Sequence, residues 1–506
     1  MSGSLQSDPL AVHAQALALL AKLRATTAYP TAETAAILTK TNTAVEDIEG
    51  TIHCSNAFSS PVSRIPPEIL CDCFRRTLPH ARIIRGTFHN TRVPTAPWRL
   101  AHVCRDWREA ALQDAQLWSS IHISSTAAPS PFSKIYALPA LETQILRSGS
   151  APLDIFLRWV HVDDMGPLLL RFAELLVDHS VRWRSLKFIW DEGMEDILLT
   201  LSRVRGRLPL LESVQIRSPF ASHLDIGDVF TIAPQLQEFI LTSCAPNINV
   251  PWRPFSAPWQ QITHLRAHFV IDGEESLKIS ILQNIPNLVD CGILMDDVIM
   301  ASQSSIIVLP CLRRLFVSRG WVLSFLETPK LEYLFVKPQE DHLILPFLRR
   351  SGCQLTGLKV FQSSSPNLIH LLTHLPTLAH FEISFYQPHN KPTAPLFHAM
   401  AASTAASTML CPHLESMCID LFPPELELFR NGPASHIYRA VAAMAESRWA
   451  NGSLKRLRFH AHTDTHAGMP VDRFNALRGQ GLDILVFNDR YSNSEEMILN
   501  PDMICP

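Results

Sequence analysis

Pro310-Cys311-Leu312-Arg313-Arg314-Leu315-Phe316-Val317 is followed 19 residues on by Pro329-Lys330-Leu331-Glu332-Tyr333-Leu334-Phe335-Val336. From Leu312 and from Leu331 both read apolar-x-x-apolar-x-apolar, a short strand with alternate side chains buried. The phrase occurs twelve times, beginning at Trp183, Leu211, Leu236, Ile262, Leu288, Leu312, Leu331, Leu355, Leu378, Leu414, Leu454 and Leu482. Successive copies lie 28, 25, 26, 26, 24, 19, 24, 23, 36, 40 and 28 residues apart, a repeat period with two longer insertions. Seven copies carry a proline two residues ahead, at Pro209, Pro234, Pro286, Pro310, Pro329, Pro376 and Pro412. Proline ends a preceding helix and forces the residue before it to be extended, so it aims the chain into a strand at the same point of each unit.

Helices are expected between the strands. Ser365 to Pro376 is the clearest: Ser365 is a good N-cap, Pro366 fits the first helical position and Pro376 marks the stop. Phe172 to Val177, Met194 to Val204, Ser276 to Gln283 and Ile437 to Trp449 are the others. A single helix-turn-strand unit cannot bury its own apolar face, so neighbours must stack. The expected fold is α/β: a parallel sheet along the inner wall of a curved solenoid, helices outside, preceded by a short helical segment. Twelve strands at about 4.8 Å each make a wall on the order of 55 Å long. The competing fold is a doubly wound α/β enzyme. It is disfavoured because no Gly-rich phosphate loop follows any strand, and the chain has only 18 glycines.

Ahead of the repeats stand Ser63-Arg64-Ile65-Pro66-Pro67-Glu68-Ile69-Leu70, then Val103-Cys104-Arg105-Asp106-Trp107-Arg108-Glu109-Ala110-Ala111-Leu112, then Leu117-Trp118. Pro66 and Pro67 have φ preset for a first helical turn and lack the amide hydrogens orphaned there, and Glu68 adds negative charge at the positive helix end. Ile65, Ile69, Leu70 and Phe74 recur at helical spacing, as do Leu100, Val103, Cys104, Trp107 and Ala111. About 60 residues are too few to bury such faces well, which leaves apolar surface for a partner. A second Pro-Pro-Glu-Leu, Pro423 to Leu426, is followed by no Val-Cys-Arg-x-Trp-Arg and reads as a helix start.

In order, a proline-led helix start, a variable middle, a Val-Cys-Arg-x-Trp-Arg helix and a closing Leu-Trp resemble an F-box. The segment between Phe74 and Leu100, with Arg75, Arg76, Arg82, Arg85 and Arg92, is long for that family. The resemblance implies a Skp-type adaptor as partner and, through it, a cullin. It implies Ile65, Pro66, Pro67, Glu68, Ile69, Leu70, Phe74, Val103 and Trp107 as the adaptor-binding residues. With the repeats, the chain resembles leucine-rich-repeat F-box proteins, in particular the large fungal (basidiomycete-type) set. Such a protein is not an enzyme but a receptor that presents a target for ubiquitin transfer by other subunits; the alternative is a repeat scaffold whose F-box-like segment merely caps the solenoid. The expected organisation is an N-terminal segment 1–60, an F-box 61–124, the solenoid 125–490 and a tail 491–506.

Lys and Arg number 44 against 47 Asp and Glu in 506 residues, a net charge of -3 that supplies no footprint for nucleic acid or an anionic membrane. The 11 cysteines are scattered without a Cys-x-x-Cys pair, and Cys71 and Cys73 are too close for most disulfides, so reduced thiols and a cytoplasmic or nuclear site are expected. Residues 10 to 23 are apolar but too short to span a bilayer, and read as an amphipathic helix. His460, His462, Asp464 and His466 are the one candidate metal cluster, weighed against chance among 22 histidines, and neither metal nor cofactor is expected. Asp163-Asp164 and Glu274-Glu275 read as solvated loop charges, Cys104 as core, and no Gly-x-Ser-x-Gly elbow is present.

Target binding is expected mid-wall. The fourth and sixth residues of each phrase point into the core, so the third, fifth and seventh point the other way. Those positions are Arg314, Phe316 and Ser318, then Tyr333, Phe335 and Lys337, then Gly357, Lys359 and Phe361, expected to face water, the alternative being that Phe316 and Phe335 are covered by a neighbouring loop or the long insertion. Aromatics and arginine dominate interface energetics. The basic stretch Arg456, Arg458 and His460 is next in line.

Overall fold

The computed structural model describes residues 18, 65–77, 96–125, 131–159, 166–190, 195–218, 228–243, 256–269, 278–295, 306–336, 341–361, 365–385, 394–401, 409–421, 434–461 and 470–487. The expectations for residues 1–60 apart from residue 18, for Asp163-Asp164, Glu274-Glu275, Lys337, Pro423 to Leu426, His462, Asp464, His466 and 491–506 lie outside them. The chain divides into two compact units, and the boundary before the repeats falls between Leu117 and Trp118.

The first unit holds α1 (Pro67–Thr77), α2 (Ala96–Leu100), α3 (Arg105–Gln113) and the start of α4 (Ala115–Trp118). α1 opens at the prolines, where the Leu70 amide donates to the Pro66 carbonyl at 3.0 Å. Leu70 and Phe74, four residues apart, share the buried face of α1, and Ala110 and Ala111 form that of α3. Small residues there let the helices approach, and the Phe74 and Trp107 rings close the contact at 4.8 Å between centroids. Arg75 ties α1 to the end of α3 through Asp114 at 2.8 Å, and the other oxygen of Asp114 accepts from the Gln116 amide at 3.1 Å to start α4. Cys104 is not core: it is exposed and caps α3, its Sγ accepting from the Trp107 amide at 3.5 Å.

The second unit contains β1 (Ser120–Ser125), α5 (Pro131–Arg147), β2 (Leu153–Trp159), α6 (Gly166–Asp178), β3 (Trp183–Trp190), α7 (Glu195–Ser202), β4 (Ser213–Ser218), β5 (Glu238–Ser243), β6 (His264–Phe269), β7 (Asp290–Met295), β8 (Ile307–Val308), β9 (Arg314–Val317), β10 (Leu326–Glu327) and β11 (Tyr333–Val336). It continues with α8 (Ile344–Ser351), β12 (Gly357–Phe361), α9 (Ser365–Thr373), β13 (His380–Phe385), α10 (Ala394–Ala401), β14 (Ser416–Leu421), α11 (Ala434–Ala450), β15 (Arg456–Ala461), α12 (Val471–Gly479) and β16 (Asp483–Phe487). The helix expected from Ser276 to Gln283 is, within the described residues, a 3₁₀ helix over Lys278–Asn284. All strands but the paired β8 and β10 form one fourteen-stranded parallel sheet in chain order, without the reversal of order that defines a doubly wound sheet.

All twelve expected phrases run into strands of this sheet, and two more strands precede them; in the last copy the buried residue is Ile484 and the fourth residue, Leu485, is exposed, against the expected alternation. β1 lies inside the stretch expected to be F-box. Its phrase is Trp118-x-x-Ile121-x-Ile123, whose first residue had been absorbed into the closing Leu-Trp. β2 has a phrase one residue short, Leu153-x-Ile155-x-Leu157. Its register accordingly slips beside Trp183: Leu153 pairs with Trp183 and Asp154 with Ser185, a bulge.

The prolines stand ahead of the strands and also shape a turn there. In all seven units the first residue of the phrase donates its amide to the carbonyl three residues back, as Leu312 does to Leu309 (3.3 Å), Leu331 to Thr328 (3.2 Å) and Leu414 to Cys411 (3.1 Å). Each proline is therefore the second residue of a β-turn, the position for which its fixed φ is suited. The residue before each strand also joins a backbone ladder: Arg313 donates to Val289 (2.9 Å), Glu332 to Arg313 (2.9 Å) and Thr356 to Glu332 (2.9 Å).

Register is unbroken from β4 to β16. One column runs Ile121, Ile155, Leu186, Val214, Phe239, Leu265 and on through Leu315, Leu334 and Leu358 to Ile484, all apolar and buried. A one-residue slip would turn every one of these away from the helices, so the core specifies the register. Leu169 of α6, Ile197 of α7, Leu368 of α9, Leu396 of α10 and Val441 of α11 pack into the same cluster. Long polar side chains tie successive units: Arg350 donates to the Leu326 carbonyl (2.8 Å), Gln261 to Ala233 (2.6 Å) and Leu236 (3.0 Å), and Arg448 to Met400 (3.1 Å) and Cys411 (3.0 Å).

Candidate functional site

The adaptor candidates sort by helix face. Pro66, Pro67, Glu68 and Ile69 are exposed at the start of α1, and Val103 is exposed just ahead of α3. Ile69 keeps 56% and Val103 60% of its surface exposed, large values for apolar side chains. Ile65 is half-buried. Leu70 and Phe74 are inside and hold the unit together, whereas Trp107 is half-buried against Phe74 and keeps part of its ring exposed. The reason is helical phase: Leu70 and Phe74 sit one turn apart facing α3, and Ile69 is rotated about 100° from Leu70.

The target candidates lie on the sheet face opposite the helices, as the alternation required. They do not stand in water. Phe316, Phe335 and Phe361 expose only 7, 6 and 6% of their surface, Lys359 only 4%, and Ser318 is buried. Register explains it. Phe316 pairs with Phe335 across β9 and β11, their centroids 4.5 Å apart, and Phe335 stacks on Phe361 at 5.3 Å. The three rings form a small core of their own, with Leu294 beside it. Lys359, on β12 beside Phe335, has its ammonium 4.9 Å from that ring's centroid and 5.6 Å from that of Phe361, and is ion-paired with Glu382 of β13. Both partners of that pair are buried.

Arg314 and Tyr333 remain half-exposed. Arg314 Nε is ion-paired with Asp290 at 2.9 Å, and the other oxygen of Asp290 meets Arg266 at 3.3 Å, so one buried carboxylate bridges β6, β7 and β9. The Tyr333 ring lies over Gly357, where a Cβ would meet its Cδ1 at 2.1 Å, and runs near-parallel to the His380 ring at 6.1 Å and 20°. Burial lowers the His380 pKa below the ordinary imidazole value, against an opposing push from Glu415. Beneath these rings a cavity of about 20 Å³ is bordered by Gly357, Lys359, His380, Glu382 and Ser416. It holds a body of roughly one water's size and no metabolite.

Sequence reasoning missed the Lys359–Glu382 pair and the Tyr333–Gly357–His380 stack. The available signal was that Gly357 and Glu382 stand at outward positions of adjacent phrases. Arg456 pairs with Asp483 at 3.3 Å on β16, and His460 lies near the end of β15. Among the described residues no group of three or more His, Cys, Asp or Glu is placed to hold a metal ion, and no helix is long and apolar enough to cross a membrane. No family model matches the chain, and no curated protein matches it.

Proposed function

We propose that the chain is the substrate-recognition subunit of a Skp-cullin-F-box type ubiquitin ligase, acting in the cytoplasm or nucleus. The first unit is an F-box that holds the adaptor, and the repeat sheet is a leucine-rich-repeat-like solenoid that holds a target protein. The observation that carries this reading is the exposure of Ile69 and Val103 beside the buried Leu70 and Phe74. These helices have used one face for their own core and still present apolar side chains outside it. Burying an aliphatic side chain of this size contributes about 1.5–3 kcal/mol, so a partner that covers both has a reason to bind. Sequential order, one strand per unit and helices packed on one face support the repeat reading.

Because Ile69 is exposed, Ile69→Asp spares the unit's core and isolates the partner contact. Full-length wild type, Ile69→Asp, Val103→Asp and a control, Leu199→Asp on α7, are to be tested for co-purification with a Skp-type adaptor. The expected result is loss of adaptor for the first two variants, with unchanged circular dichroism, and full recovery for the control. Undiminished binding by both variants, or none by wild type, argues for the scaffold alternative.

A further inference from the structure

His370 and His374 lie outside both surfaces described above. Helix α9 turns Leu368, Leu371 and Leu372 into the core, with Leu375 buried just past its end, and two exposed histidines four residues apart, His370 on the helix and His374 directly after its last residue, Thr373, stand beside one another. Their ring centroids are 4.9 Å apart with planes inclined at 59°.

The contacts at this turn orient the His374 ring. His374 Nδ1 lies 3.0 Å from the His370 carbonyl oxygen. A carbonyl only accepts, so Nδ1 is the donor and Nε2 of His374 bears the free lone pair. The Thr373 hydroxyl donates to the same carbonyl at 2.7 Å and stands 3.1 Å from His374 Nδ1, holding the turn from the side. A ring N–H anchored on a backbone carbonyl, leaving the other nitrogen free, is the way metal-binding histidines are oriented.

The spacing suits one ion. With metal–nitrogen bonds of about 2.0–2.1 Å meeting at about 90–110°, two imidazole centres bound to a single metal come to about 4.5–5 Å apart. Position adds to this, because His370 lies in the last turn of α9 and His374 directly follows it, where the partial negative charge of the helix end favours a cation.

We propose that His370 and His374 chelate one divalent transition metal ion of the nickel, copper or zinc class through their Nε2 atoms, with water in the remaining coordination positions. Affinity across the series rises toward copper, as for any imidazole site.

The test is calorimetric titration of Ni²⁺ into the full-length chain, kept reduced, alongside His370→Ala, His374→Ala, the double variant, and His398→Ala as a control for an exposed histidine on α10. Metal held by cysteines and other histidines is common to all five proteins and cancels in the comparison. The expected result is one nickel equivalent fewer in the double variant, a weakening of that equivalent by about tenfold or more in each single variant, and no change for His398→Ala. Circular dichroism confirms that the exposed substitutions leave the fold intact. Identical isotherms for wild type and the double variant overturn the proposal.

Discussion

Gly357→Ala tests whether the second face of the sheet is packed as described. A Cβ on Gly357 stands 2.1 Å from Cδ1 and 2.5 Å from Cε1 of Tyr333, so the ring must leave its place. The backbone itself accepts alanine, since Gly357 is not among the positive-φ glycines. In a strand that exchange alone favours alanine by about 0.5–1 kcal/mol. Overpacking and loss of the stack on His380 oppose it by about 1–3 kcal/mol, so the single variant is expected to lose up to about 2.5 kcal/mol net. In a Tyr333→Ala background the clash is gone and the same exchange becomes neutral or stabilising. The coupling between the two sites is therefore about 2 kcal/mol, well above the error of a double-mutant cycle. Urea unfolding of the four full-length proteins measures it, with an unchanged m-value required before midpoints are compared. Equal cost of Gly357→Ala in both backgrounds refutes the placement of Tyr333 over Gly357, and with it the account of this face.

Two further outcomes are expected. His122 stacks on Phe156 at 4.3 Å with both ring nitrogens buried and, among the described residues, without a hydrogen-bond partner; desolvation, helped by the Lys187 charge, brings its pKa from 6.5 to about 4. The unfolded chain takes up this proton first, so the stability is present above about pH 6.5 and is lost as pH falls towards about 4. The loss is about 2–3 kcal/mol after allowance for partial exposure, and His122→Phe should flatten that slope between about pH 7 and about pH 5; an unaltered slope contradicts it. Arg448 is fully buried and donates to the backbone carbonyls of Met400, Leu410 and Cys411. Arg448→Ala leaves those acceptors without their donor and should cost about 3–5 kcal/mol in urea unfolding, whereas a loss below about 1 kcal/mol would show that they find other partners.

The strands were legible because each phrase carries its own alternation, and their pairing followed because only one register buries every column. β1 and β2 were not, for two local reasons: Trp118 serves the end of one pattern and the start of the next, and the bulge beside Leu153 removes a residue from the phrase. The recurrent prolines were seen, but a helix stop and the second position of a turn look alike in sequence, and only the bond closing each turn separates them. In the first unit the apolar residues of α1 were legible as a set. Which of them faced inward was not, because that depends on where α3 lies: Leu70 and Phe74 meet it, and Ile69 does not.

The second face shows a different limit. Pointing away from the helices was read as facing water, yet exposure on a sheet is decided by the neighbouring strands. Phe316 is covered because register sets it beside Phe335, and Lys359 because Glu382, 23 residues further on, stands beside it. This changes how a target contact on this face is to be sought. Rings that already bury one another supply a rigid platform, and little of their surface is left for a partner. The half-exposed Arg314 and Tyr333 are what remain at its border. Replacing Phe316, Tyr333 and Phe335 together removes the platform along with any contact, so a lost interaction in that variant would report unfolding as readily as binding. Arg314→Ala and Tyr333→Phe leave the three-ring core in place. A target that depends on this face must respond to one of them at unchanged stability.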